Sequence, residues 1–211
     1  MIENKNCEHI NIDFSSDAAI IKAKELYFEG LIFALPTDTI YGFAANPFNS
    51  DAVQKIDEIK KRDSEKKYIM LIGSLELLLK YIEVKTENHL DFLLAIWPNP
   101  VSVILSLNSK TSNILNAKTA AFRIPNNRFC IRLLNELKMP LISTSINKGG
   151  QPFLNDRNMI DEEFGHNLSA IFYTDKKSYI QESTIIDLSQ NVPKLIREGK
   201  IKFEDILAKY K

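Results

Sequence analysis

Ser15-Ser16-Asp17-Ala18-Ala19-Ile20-Ile21-Lys22-Ala23-Lys24-Glu25-Leu26-Tyr27-Phe28-Glu29-Gly30-Leu31-Ile32-Phe33-Ala34-Leu35-Pro36 is the stretch on which the fold turns. Its first three residues offer side-chain oxygens to the free amides of a helix start. Ala19, Ile20, Ala23, Leu26 and Tyr27 then recur at helical spacing, and Gly30 suits a left-handed cap. Directly afterwards Leu31 to Leu35 reads as a short buried strand, closed by Pro36. A helix that passes straight into a buried strand announces an α/β layer structure.

The same alternation continues outward. Ser50-Asp51 offers cap chemistry for a second helix with Ala52, Val53, Ile56 and Ile59 inward. Further strands are expected at 68–72, 101–107, 120–124, 141–144, 170–173 and 183–188, and helices at 75–82, 87–97 and 128–137. Two strands in succession near 101–124, and again near 170–188, require a mixed sheet. The polar stretch 155–167 reads as a mobile loop. No repeat, low-complexity tract or dividing linker interrupts the chain, so one domain is expected over 1–211.

Lys plus Arg equals Asp plus Glu at 27 each, so no global field draws the protein to nucleic acid or a membrane. Cys7 and Cys130 stand far apart with no CxxC pair, which suggests reduced thiols. The N-terminus has no apolar core of a secretory signal, and no apolar run reaches the ~18 residues of a membrane span. A soluble, cytoplasmic protein without membrane partners is expected.

Four polar segments sit at or beside these strands: Pro36-Thr37-Asp38-Thr39-Ile40-Tyr41-Gly42, Lys60-Lys61-Arg62 with Lys66, Ser143-Thr144-Ser145-Ile146-Asn147, and Glu182-Ser183-Thr184 with Arg197 further on. Hydroxyls and cations at strand ends suit a polyanion, whose desolvation is offset only by several close donors. The seven glycines form neither a P-loop nor a dinucleotide fingerprint, so side chains would have to hold any phosphate. His9, His89 and His166 form no HExxH or His/Cys ligand cluster, and no GxSxG elbow is present. Each segment also has a plain structural reading. Lysines at a helix C-terminus complement its dipole, Arg123 within Ala121-Phe122-Arg123-Ile124-Pro125 suits the exposed face of a half-buried strand, and Asn147 with Gly149-Gly150 suits a polar turn.

Taken in order, PTDTIYG, KxR with Lys66 four residues later, WPNPVS, FRIP, STSIN before GG, ESTIIDL and LIREG resemble the YrdC-like family of threonylcarbamoyl-AMP synthases, in its short single-domain form. The resemblance runs from about residue 31 to 201. It implies an open, twisted α/β fold whose mixed sheet, flanked by helices, carries a concave, positively charged groove. It also implies a nucleotidyl transfer in which L-threonine, bicarbonate and ATP give threonylcarbamoyl-adenylate and pyrophosphate, for tRNA modification completed by a separate transferase. By analogy Lys60, Arg62 and Lys66 hold the phosphates with Mg²⁺, and Ser145, Asn147 and Arg197 contact the nucleotide. Thr37, Arg123, Ser143 and Ser183 hold threonine, Arg123 being the natural partner of its carboxylate. Asp63 and Lys67 replace prolines usual in the cationic loop, and Ile146 and Gly149 also depart from the pattern. The alternative is a non-catalytic paralogue that holds nucleotide or structured RNA, tRNA or a duplex, in the same groove. A carbamoyl-transfer module of a larger protein is disfavoured, since the zinc-finger cysteines expected there are missing.

Overall fold

The computed structural model describes residues 7–14, 16–61, 68–176 and 180–210. The chain runs β1 (Glu8–Asn11), α1 (Ser16–Phe28), β2 (Phe33–Leu35), β3 (Gly42–Ala45), α2 (Ser50–Lys60), β4 (Ile69–Leu71), α3 (Leu75–Leu78) and α4 (Glu87–Ile96). It continues through β5 (Val101–Ser106), α5 (Ser109–Leu115), β6 (Thr119–Arg123), α6 (Arg128–Leu137), β7 (Leu141–Ser145) and α7 (Arg157–Phe164). A 3₁₀ turn (Gly165–Asn167), β8 (Ala170–Tyr173), β9 (Thr184–Asp187), β10 (Lys194–Arg197) and α8 (Phe203–Leu207) complete it. All ten strands join one sheet in the order β1-β8-β2-β3-β7-β4-β6-β5-β9-β10. The pairs β1/β8, β2/β8, β4/β6 and β5/β9 are parallel and the rest antiparallel, so the mixed sheet expected from the strand order is present.

Strand periodicity of two sorts the side chains between the faces. On one face Phe33, Leu35, Ala44, Leu71, Leu141 and Phe172 pack with α1 and α6. On the other, Ala34, Phe43, Ala45, Ile142 and Ile171 pack with Ile56 of α2 and Ile160 and Phe164 of α7. Further along that second face, Met70, Phe122, Val103 and Ile186 pack with residues of α3, α4 and α8. One face is therefore covered along most of its width. The first is covered by α1 and α6 at the β8-β2-β3 end.

Several expectations need correction. Helix α2 is capped by Asn49, whose side chain accepts from the Ala52 amide at 2.9 Å, and not by Ser50-Asp51. The helix expected over 75–82 ends at Leu78, and Ile82 instead bridges Leu107. The stretch 155–167 is not a loop. Asp156 accepts from the amides of Asn158 and Met159 to start α7, and Ile160 and Phe164, four apart, bury one stripe. Its acidic outer face hides that two-residue stripe from a composition reading. Strands β1, β3 and β10 and helices α5 and α8 are short or polar and give no periodic signal of their own. Gly30 does take the left-handed conformation expected of it, at φ +71°.

Candidate functional site

Beyond α1 and α6, the first face of the sheet turns small and polar. Register aligns Gly42 with Ser145, Ser143 with Ile69, Ile69 with Ala121, Arg123 with Leu71 and Ile185 with Ser102 across six strands. Alternate positions on the same strands are Phe43, Met70, Phe122 and Val103, which point into the opposite core. Small residues on one face and large ones on the other leave a concavity where the helices end. The result is a cleft of about 340 Å³, within the range of small-molecule sites. Among the described residues its lining includes Lys60, Arg123 and Arg197 against one carboxylate, Glu182, so that part of the cleft is positively charged.

Arg123 stands at the end of β6 and is 3 % exposed, not on a solvated face as its strand position alone suggests. The loop 36–41 folds over it. The Thr37 hydroxyl donates to the Ile40 carbonyl at 2.8 Å and accepts from the Thr39 amide at 3.1 Å. Thr39 in turn lies 2.8 Å from Thr37 Oγ1, and its oxygen accepts from Arg123 Nη1 at 3.0 Å. Arg123 Nη2 reaches Thr37 Oγ1 and a carboxylate oxygen of Asp38, each at 3.5 Å. The other Asp38 oxygen accepts from the Asn126 amide at 3.0 Å, and the Cys130 thiol donates to the Pro36 carbonyl. The loop is thus tied to β6 and α6 from both ends. Burial pulls the Arg123 pKa down and the Asp38 carboxylate opposes it, and a guanidinium in this pairing stays charged. Among the described residues Arg123 Nε has no hydrogen-bond partner. An unmet buried donor on a cation calls for an acceptor.

The other wall is built at the exit of β7. Lys60, the last residue of α2, is 3 % exposed, so it is not the solvated cation that its helix-end position allows. Its ammonium donates to the Ser145 carbonyl, to the Asn147 carbonyl at 3.2 Å and to Asn147 Oδ1 at 2.7 Å. Ser145 Oγ donates to the same Asn147 oxygen at 2.8 Å, and Asn147 Nδ2 donates to the Gln151 carbonyl at 2.6 Å. The turn after β7 is therefore held by Lys60 from below.

Across the cleft, the register slip between β9 and β10 at Leu195/Arg197 re-aims Arg197. Its Nη1 meets Glu182 Oε1 at 2.5 Å and its Nη2 donates to the Ser183 carbonyl at 3.0 Å. Ser183 Oγ lies 3.0 Å from Ser102 Oγ. Arg197 Nε, like that of Arg123, lacks a hydrogen-bond partner among the described residues.

Of the candidates from sequence, Lys60, Arg123, Ser143, Ser145, Asn147, Ser183 and Arg197 line this one cleft. Thr37 touches Arg123 but opens onto an adjoining cleft of about 800 Å³, which shares Thr39, Ile40 and Tyr41 with the first. In that larger cleft Arg132 pairs with Asp17, Lys176 with Asp13, and Arg157 lies over the Tyr173 ring, while Arg128 also lines it. Arg62 and Lys66, with the departures Asp63 and Lys67, lie outside the described residues. Sequence reading placed Asp38 and Thr39 in the polar 36–42 segment and Ser102 in WPNPVS but gave none of them a role in the site. Thr39 carried a signal, since it repeats Thr37 two residues on, and so did Ser102, one of two serines in an otherwise apolar strand. Asp38 carried none, because its partner arrives from β6.

The chain matches the Sua5/YciO/YrdC family model, described as "Telomere recombination", over residues 25–199. It is 31 % identical over 174 residues to threonylcarbamoyl-AMP synthase of Vibrio campbellii, covering 81 % of this chain and 93 % of that one. It is 30 % identical to the Pyrococcus abyssi protein of the same name, covering 84 % of this chain and 53 % of that longer one. The structure of P. abyssi Sua5 complexed with L-threonine superposes with a TM-score of 0.86 at 26 % identity, over 96 % of this chain and 60 % of that one. E. coli YciO shares the fold at a TM-score of 0.85 and 22 % identity, over 96 % of this chain and all of its own. Among the described residues no helix is long and apolar enough to cross a membrane. With the family model covering most of its length and a 31 % identical relative matched nearly end to end, the chain belongs to the Sua5/YciO/YrdC family.

Proposed function

We propose that this protein is a threonylcarbamoyl-AMP synthase, a nucleotidyl transferase acting on L-threonine, bicarbonate and MgATP. The observation that carries the reading is the cleft itself: Arg123 and Arg197, each with an Nε that has no partner among the described residues, line it together with Ser143, Ser145 and Ser183. Arg123 is the partner for the threonine carboxylate, with Ser143 and Ser183 beside it. Arg197, Ser145 and Asn147 suit the nucleotide and Arg62 and Lys66 the phosphates, whereas Lys60, expected among the phosphate ligands, has its ammonium engaged by the turn that carries Ser145 and Asn147. Mg²⁺ arrives as part of the substrate, and the lining carboxylate Glu182 is committed to Arg197.

Threonine amine and bicarbonate give a carbamate with loss of water. A carbamate oxygen attacks the α-phosphorus, and its bond to pyrophosphate breaks. This sequence needs no covalent enzyme intermediate, so positioning and charge stabilisation carry it. Thr39 and Asp38 orient Arg123, and Lys60 orients Ser145 and Asn147. The adenylate then passes to a separate tRNA-modifying transferase in the cytoplasm.

Pyrophosphate release from MgATP by the purified chain is expected only with both L-threonine and bicarbonate present. Binding of ATP with no release in any combination overturns the synthase reading. RNA titration with its salt slope would then test the binding-module alternative. A second expectation concerns Gly42, where an added Cβ would lie 2.7 Å from Ser143 Oγ. Gly42→Ala should displace that hydroxyl at about 1 kcal/mol, a fall of about 2–4 °C in melting temperature, and weaken L-threonine. Unchanged threonine affinity by calorimetry would remove Ser143 from the threonine site.

A further inference from the structure

Cys7, His9 and Asp161 lie away from the cleft and meet where β1 passes α7. Cys7 and His9 are two residues apart, so their side chains share a face of the edge strand. Asp161 comes to that face from α7, whose Ile160 and Phe164 anchor it in the same core that Cys7 touches. One ligand atom from each, Sγ, Nε2 and a carboxylate oxygen, lies within 4.8 Å of the others, and His9 Nε2 stands 3.1 Å from Asp161 Oδ2. Gly165 makes room for this meeting. A Cβ there would overlap Asp161 Oδ1 and stand 3.8 Å from Cys7 Cβ.

We propose that Cys7, His9 and Asp161 form a binding site for a thiophilic divalent ion, Zn²⁺ in the first place, with water at the fourth position. Ligands held about 2.0–2.3 Å from one tetrahedral ion stand about 3.3–3.8 Å apart, so the trio closes onto an ion by shifts of about an ångström. One sulfur, one imidazole and one carboxylate suit Zn²⁺ or Co²⁺. They are too few and too soft for Ca²⁺ or Mg²⁺, which gather six or more oxygens. Burial and the nearby Asp161 and Glu8 carboxylates push the Cys7 thiol up to about 12, so it is neutral in the metal-free chain. Metal binding forms the metal–sulfur bond and releases that proton to water, and the same two carboxylates that oppose a lone thiolate favour a dication. The ion ties β1, which among the described strands pairs in the sheet with β8 only, to a helix on the covered face. Sequence spacing did not reveal the trio because Asp161 is more than 150 residues away from its partners.

Co²⁺ titrated into the chelator-treated full chain should bind once per chain and give the near-ultraviolet absorption of a cobalt–thiolate bond. Cys7→Ser should abolish that band, and His9→Ala or the isosteric Asp161→Asn should weaken Co²⁺ by at least tenfold and up to about 100-fold. Zn²⁺ should raise the melting temperature of the wild type and not of Cys7→Ser. Absence of binding, binding without the thiolate band, or a band that survives in Cys7→Ser overturns the proposal. Circular dichroism checks each fold, and if Cys7→Ser does not fold, Asp161→Asn decides: unchanged Co²⁺ affinity there overturns the site.

Discussion

Arg123→Ala is expected to lower the melting temperature by roughly 6–20 °C and to weaken L-threonine far more than ATP. The stability loss follows from the buried pair with Asp38, whose side chains are 3 % and 6 % exposed. Removing one partner of such a pair strands the other and costs about 3–5 kcal/mol. For a chain of this size each kcal/mol moves the midpoint by about 2–4 °C. Asp38 Oδ1 already lacks a hydrogen bond among the described residues, so no remaining neighbour takes up the loss. The binding loss is separate, because the guanidinium also holds Thr39 and Thr37 and is the donor proposed for the threonine carboxylate. Arg123→Lys separates the two effects. It keeps a charge near Asp38 and should recover part of the stability, but it lacks the planar fork and should not recover threonine affinity. Thermal melts and calorimetric titrations of both ligands make the check. Equal weakening of threonine and ATP would overturn the assignment of Arg123 to threonine, and an unchanged melting temperature would overturn the buried pair.

Gly199→Ala is expected to cost about 1–3 kcal/mol and to reduce pyrophosphate release by about 100-fold, the scale of a misplacement of an ångström. A Cβ at this position would overlap the Glu182 carbonyl oxygen and lie 2.5 and 2.6 Å from the Ser183 carbonyl carbon and oxygen. All three are backbone atoms, so no side-chain rotation relieves the clash. The segment entering β9 must move, and with it go both partners of Arg197 and the Ser183 hydroxyl. The Gly199 amide also donates to Thr184 Oγ1 at 2.9 Å, which locks the two segments together. Gly150→Ala is the control. Among the described residues nothing stands within 4 Å of its Cβ, but its φ of +78° strains any side chain, so about 1 kcal/mol is lost without a clash against the cleft's described backbone. If Gly199→Ala releases pyrophosphate at the rate of Gly150→Ala, the close approach does not position the site.

The helix ending at Gly30 and the strand that follows were legible because their apolar residues recur at spacings that only those elements satisfy. Helix α6 was legible to its last residue for the same reason, with Phe129, Cys130, Leu133, Leu134 and Leu137 on one stripe. Strand β10 was not, since its residues are largely exposed and it is strand only because β9 lies beside it. Helix α7 was not, since two apolar residues among polar ones make a stripe only once a core is there to receive them. In the cleft, residue types pointed to a polyanion site, and their order along the chain pointed to the family. Neither could say that Lys60 spends its ammonium on the turn after β7, or that Thr37 and Thr39 hold Arg123.

The alternation of helix and strand, the mixed sheet and the identity of most cleft residues are readable from the amino-acid order, because each rests on local spacing and side-chain chemistry. The tertiary structure alone decided which face of the sheet stays open, which cations are paired, and that Cys7 and His9 meet Asp161. Those outcomes depend on strand register and on contacts between residues distant in the chain. A shift of one residue in register would turn Ser143 and Arg123 into the opposite core, and nothing in their local sequence records which way they point.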